Sequence, residues 1–534
     1  MKKTVFRWIA LCLVMLFVLT GCDPILPQLM NPGLPDAVPF KDMEYSRQDV
    51  AQMETLQQAV MDGIAAQDDV ETLMEKVFAF YEAYNHYYTG YALANIYYSK
   101  DLTDGKWQEE YAFYMDTSAE VDAMLDQMLY ALADHPKKDE LEADIYFGEG
   151  FFDNFEGESL WDETFTALAE KEGELQTQYY DISGQAVDVD PYSETFYSTY
   201  GSQLADVYVE LVKVRQEMAT YAGYEDFPSF AYDFYYGRDY TPAQAEKLMK
   251  DIEKQLVSIY KNIDYSPLYE IYSKICTENQ TFAYVKSCAQ NIGGVMAEAF
   301  QLMETAGLYD ISYSDQKYDV SFEIYIRDYF EPFVFVNPAG NVRDKLTFVH
   351  EFGHFTNDYA SFGNVGGIDV AEFFSQGLEY LSLDYATGGK ELVTAKMVDS
   401  LSLYVEQTAY STFEHQVYSL EGDQLTKENI YKIFQNVATD FGFGNAVDSR
   451  GFVLVPHFFI SPMYIISYVV SNDAALQLYQ LEQTQKGAGV AKYVENLATM
   501  EAQFLGFVES AGLESPFAEG RIEKVRKTFE DALK

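Results

Sequence analysis

Apolar residues recur at spacings of three and four through most of this chain. Leu204, Val207, Tyr208, Leu211, Val212 and Val214, for example, share one helical face. Thr241 can cap a helix and Pro242 can open its first turn, and the pattern then runs to about Ile259. Beyond Phe40 only ten prolines interrupt such segments, so the pattern predicts a mainly α protein. The run Phe333-Val334-Phe335-Val336 is the main exception: short, apolar throughout and β-favouring, it predicts a strand. As an exposed edge it would pair with the backbone of an extended peptide; buried inside a small sheet it would not. A break between an N-terminal helical lobe, 45–235, and a second lobe, 236–534, is expected near residue 235.

The first residues concern address. Lys2, Lys3 and Arg7 precede an apolar run from Trp8 to Thr20 that is too short to span a bilayer and has the layout of an export signal. Leu19-Thr20-Gly21-Cys22 resembles the bacterial lipobox, which implies a diacylglyceryl group on Cys22 and removal of residues 1–21. Five prolines between residues 24 and 39 make 22–44 an extended tether. The expected place is therefore the exported face of a cell membrane, held by the lipid. Cys276 and Cys288 remain in the folded body. In one straight helix they would lie about 18 Å apart, so a bridge requires a turn between them; the spacing leaves bridged and free states open.

Charge removes some partners. With 36 Lys plus Arg against 85 Asp plus Glu, the formal charge is −49. Such a field repels phosphate backbones and anionic headgroups, so nucleic acid is excluded as a partner and a membrane is reached only through the lipid. A hydrophobic content of 48% with 16% aromatics supports a large folded body.

One constellation carries chemistry. His350-Glu351-Phe352-Gly353-His354 follows a helix-compatible run, and its two histidines fall four residues apart on one face, able to hold one Zn²⁺. Glu351, about 100° round the helix from His350, is poorly placed to ligate but can reach a water on that ion. A third ligand is needed, and Asn357 and Ala360 stand where a longer HExxHxxGxxH motif would supply it. Instead a turn with Gly363, Gly366 and Gly367 leads into a second helical pattern carrying Glu372, 18 residues after His354 and placed to return over the first helix. Two neutral imidazoles and one carboxylate leave a site charge of about +1, which favours ionised water. Glu379, seven residues further along the same face, either hydrogen-bonds a ligand histidine from behind or is a surface acid.

HEFGH followed by Glu372-x-x-Ser375-Gln376-x-x-Glu379 resembles the thimet oligopeptidase and oligoendopeptidase F family of zinc peptidases. Pro332 to Asn337, Phe413-Glu414-His415, His457-Phe458-Phe459 and the stretch Arg215 to Phe227 are also similar to segments of oligoendopeptidase F. The resemblance implies a mainly α, two-lobed metallopeptidase with a deep substrate channel, a small β-sheet near the HExxH helix and one zinc ion at the channel floor. It further implies a monomeric metalloendopeptidase acting on oligopeptides. Glu351 would be the base, and His457 with Tyr464, or Tyr468 in its place, would donate hydrogen bonds to the oxyanion. The sequence departs from the family's pattern at Asn357, where many members have a third histidine, and at Phe374, where many have proline. The alternative is a lipid-anchored oligopeptide-binding protein on a degenerate peptidase body, against which the intact ligand set argues.

Overall fold

Three long helices, α1 (Val50–Ala66), α2 (Val70–Lys100) and α3 (Gly105–Ala133), each begin behind an aspartate. Asp49, Asp69 and Asp104 accept first-turn N–H groups that would otherwise be unpaired. Their facing sides, with Val60, Leu73, Val77, Phe80, Tyr114 and Val121, form a hydrophobic core of their own. The computed structural model describes residues 37–533 apart from 144–146, 149, 156, 158, 187, 188 and 500. The leader, Cys22 and the tether up to residue 36 lie outside the described residues.

A larger core takes in α4 (Glu163–Gln185), α5 (Ser202–Tyr221), α6 (Pro242–Tyr260), α7 (Glu278–Ile292) and everything that follows. The helical face read from Leu204 to Val214 is buried in α5. Thr241 caps α6 in a reciprocal box with Gln244. Helix accounts for 70% and strand for 3%. Among the described residues no helix is long and apolar enough to cross a membrane.

The strands β1 (Tyr309–Asp310), β2 (Ser321–Ile326) and β3 (Glu331–Val336) form one small sheet in the order β1-β3-β2. β3 runs parallel to β1 and antiparallel to β2, with Ser321 opposite Val336 and Ile326 opposite Glu331. This decides against Phe333–Val336 as an exposed edge: all six residues of β3 are buried and both of its sides are paired. The physical reason is visible in the pattern, since an unbroken apolar run suits a strand covered on both faces rather than one facing solvent.

The chain leaves β3 through a turn gripped by Asp344, whose carboxylate accepts the N–H groups of Ala339, Gly340 and Asn341 at 2.7–3.0 Å. There α8 (Asp344–Ser361) begins, followed by α9 (Ile368–Tyr385), α10 (Val393–Tyr418) and α11 (Ile466–Thr484). The turn between α8 and α9 is fixed by close backbone contact. Gly363 has φ +77°, and Gly367 donates its N–H to Ala502 O at 2.8 Å. A Cβ on Gly366 or Gly367 would stand 2.7–2.8 Å from the carbonyls of Glu501 and Ala502. Cys276 and Cys288 are both free and buried, and burial pushes the Cys288 thiol up to about 12.

Candidate metal centre

The helix α8 carries His350 and His354 on the face that meets α9. The two helices approach closely because Gly353 has no side chain: a Cβ there would lie 2.6 Å from Phe374 O and from Ser375 Cα. This contact sets Glu372 over the histidine pair. One donor atom from each of His350, His354 and Glu372 falls within 4.8 Å of the others. Glu372 Oε2 stands 3.5 Å from His350 Nε2 and 4.0 Å from His354 Nε2. Tetrahedral zinc with bonds near 2.05 Å separates its ligand atoms by about 3.3 Å. The two nitrogen–oxygen separations lie at and somewhat above that spacing, so a small closure of the three groups would fit a divalent ion with a position left for solvent.

Two of the three are oriented from behind. His350 Nδ1 faces Glu379 Oε1 at 2.9 Å, which leaves Nε2 turned towards Glu372, and Lys396 donates to Glu379 Oε2 at 2.9 Å. Ser375 Oγ donates to Glu372 Oε2 at 2.9 Å, and Tyr464 OH donates to Glu372 Oε1 at 3.2 Å. Glu379 therefore lies in the interior against a ligand histidine and not on the surface.

The charges follow from these contacts. For the metal-free protein, burial alone would lower His350, but the Glu379 hydrogen bond and the charges of Glu372 and Glu351 outweigh it and raise the imidazole to about 9. Burial likewise opposes ionisation of Glu379, yet Lys396 and His350 bring it down to about 2. His354 is held below its ordinary value by burial and by the neighbouring His350 charge. Burial, with Glu372 and Glu379 adding to it against the pull of His350, lifts Glu351 to about 7, the range in which a carboxylate can both take and return a proton.

The remaining sequence candidates lie between Pro456 and the first turn of α11. His457 and Tyr464 have ring centroids 5.7 Å apart, Tyr464 and Tyr468 5.1 Å, and His457 Nε2 is 3.4 Å from Tyr468 OH. Burial takes His457 down to about 3, so its ring is neutral at physiological pH. Thus Tyr464 touches the Glu372 carboxylate directly, whereas His457 and Tyr468 pack against Tyr464. His415 stands elsewhere, bonded to Tyr232 OH at 3.1 Å, and Asn357 is spent on the carbonyl of Leu497 at 2.9 Å.

What holds this segment was not singled out as functional in the sequence. Arg215 of α5, fully buried, donates to Phe458 O at 2.8 Å and to Phe459 O, and pairs with Glu172 at 2.6 Å. Arg238 donates to Met463 O at 3.0 Å and to Ser467 Oγ at 2.8 Å, stands 3.6 Å from Asp369, and lies over the rings of Tyr232 and Tyr236. Glu414 accepts the Met463 N–H at 2.7 Å, at a residue with φ 63°. Arginines buried in apolar surroundings are the one sequence signal that points to such roles, because a buried charge needs a partner.

Tyr464 also borders a cavity of about 1210 Å³, walled on one side by Ile460, Ser461, Pro462 and Tyr236 and on the other by α1, α2, α3 and α4. Tyr464, bonded to Glu372, thus connects the His350–His354–Glu372 cluster to a space between the two hydrophobic cores. Residues 40–159 match the family described as the peptidase M3 N-terminal domain. Oligopeptidase PepF of Bacillus subtilis is 27% identical over 223 residues, covering 38% of this chain and 33% of that protein. The chain is thus similar to the oligoendopeptidase F group of M3 peptidases. The oligoendopeptidase F homolog of Borreliella burgdorferi is 22% identical over 233 residues, 38% of this chain and 39% of that one. The matched stretch therefore spans about a third of the length of these curated relatives. An X-ray structure assigned as an oligoendopeptidase F shares the fold across 93% of this chain and 99% of its own, with a TM-score of 0.80 at 21% identity. The helical architecture with its small sheet is that of oligoendopeptidase F.

Proposed function

We propose that this chain is a zinc-dependent endopeptidase that hydrolyses oligopeptides. The observation that carries the reading is the convergence of His350, His354 and Glu372 beside a cavity large enough for several residues of extended peptide. A Zn²⁺ ion held by these three would act as a Lewis acid on water and on the scissile carbonyl. Glu351 takes the proton of the attacking water and returns it to the leaving amine. His457 and Tyr464, with Tyr468 behind His457, donate hydrogen bonds towards the developing oxyanion, each worth about 3 kcal/mol by analogy with other such donors. Glu379 keeps His350 in the tautomer whose Nε2 is free to ligate. All these groups come from one chain, which supports action as a monomer. The lipobox-like segment ending at Cys22 places the enzyme, on this proposal, at the exported face of a membrane with the lipid as its anchor.

Replacing Glu351 by Gln tests the base. Zinc content should stay at one ion per chain while turnover of a peptide falls by about 10²- to 10⁴-fold. Turnover near that of the parent would refute the assignment. For the anchor, metabolic labelling with a radioactive fatty acid should mark the protein and fail to mark Cys22→Ser.

A further inference from the structure

The walls of the cavity carry a charge pattern of their own. Among the described residues that line it there is no Lys, Arg or His, while Glu54, Asp116, Glu120, Glu170 and Glu172 all face it, among ten aromatic rings. Glu172 is neutralised by Arg215. The other four have no ion-pair partner among the described residues. Glu54 of α1 and Glu120 of α3 are neighbours, and burial together with the Glu54 carboxylate holds the Glu120 carboxyl above its ordinary value. Two like charges side by side gain most from a cation placed between them.

A second observation points to a ligand. Asn95 is 4% exposed and its side-chain N–H₂ has no hydrogen-bond partner; the indole N–H of the half-buried Trp161 is also unpaired. Both residues line the same cavity. Buried donors without acceptors are uncommon, and a peptide passing through would offer main-chain carbonyls to both. The aromatic rings add faces over which ammonium and guanidinium groups are attracted.

We infer that this cavity selects cationic oligopeptides, with Glu54, Asp116, Glu120 and Glu170 receiving Lys and Arg side chains and Asn95 and Trp161 holding the peptide backbone. The inference rests on the reading of the cavity as the peptide path. It differs from steering by the overall −49 charge, because it locates selectivity in four named carboxylates.

The test uses the zinc-loaded Glu351→Gln protein, so that binding is read without cleavage, and two peptides of equal length that carry either Lys or Gln at the same three positions. At low salt the Lys peptide should bind about fivefold or more tighter, and 0.5 M salt should erase most of that ratio. Adding Glu54→Gln and Glu120→Gln should shrink the ratio by at least half. Adding instead Glu225→Gln and Glu253→Gln, which are exposed and outside the cavity, should leave it intact. Equal affinity for the two peptides, or the same ratio in both double variants, would overturn the inference. Chelator-sensitive cutting of the Gln peptide by the parent enzyme reports separately on peptidase activity, so loss of selectivity and loss of the proposed function are distinguishable.

Discussion

Gly353 sets the distance between the helices that carry His350, His354 and Glu372. With Phe374 O and Ser375 Cα only 2.6 Å from where its Cβ would stand, Gly353→Ala must push α8 and α9 apart. Overpacking of this kind costs about 1–3 kcal/mol, and here the shift moves Glu372 away from the histidines. The expected result is a lowered melting temperature and zinc affinity reduced by about tenfold or more, checked by chelator competition. His350 predicts a pH dependence. In the metal-free protein its imidazole is raised from 6.5 to about 9, so the stability it contributes is present in full below pH 6.5 and lost as pH rises through 9. Glu379 is lowered from 4.5 to about 2, so its contribution is present above pH 4.5 and lost as pH falls towards 2. The pair therefore supports the metal-free fold best between pH 4.5 and 6.5, a component of the melting profile that Glu379→Gln should remove. Zinc must displace the His350 proton, so zinc affinity should climb with pH up to about 9.

At the scale of elements, the segment from His457 to Tyr464 holds a single helical turn, His457–Ile460, and depends on side chains from elsewhere. Arg238→Met removes the donors to Met463 O and Ser467 and leaves Asp369 without its cation. Breaking a buried pair in this way costs about 3–5 kcal/mol. Turnover should fall while zinc stoichiometry is unchanged, as measured by metal analysis at a temperature well below the melt. The same segment shows where sequence reading stops. The convergence of His350 and His354 was legible because helical periodicity turns a four-residue spacing into one face, and that of Glu372 because its own helix had to come back over the first. Arg215 and Arg238 act across more than 200 residues on backbone carbonyls that have no sequence signature. The strand at 331–336 was legible as a strand, but its central position depends on two partners, one of them only two residues long.

For the whole molecule, a mainly helical body was evident from periodicity alone, whereas the cavity exists only where two separate cores meet and so has no local trace. Its size predicts substrate limits. A linear peptide should be cut readily, and the same sequence inside a stably folded domain should resist until that domain is denatured, an outcome that mass spectrometry of paired digests would read directly. The Lys396–Glu379–His350 chain of contacts has one more consequence. Without an ion beyond it, the charge that His350 then carries is met by Glu379 and Glu372, unlike a zinc finger, whose scaffold collapses when stripped. Chelation should therefore silence this protein without dismantling it, with near-ultraviolet circular dichroism little altered, and adding the ion back should restart it at once, with no refolding delay.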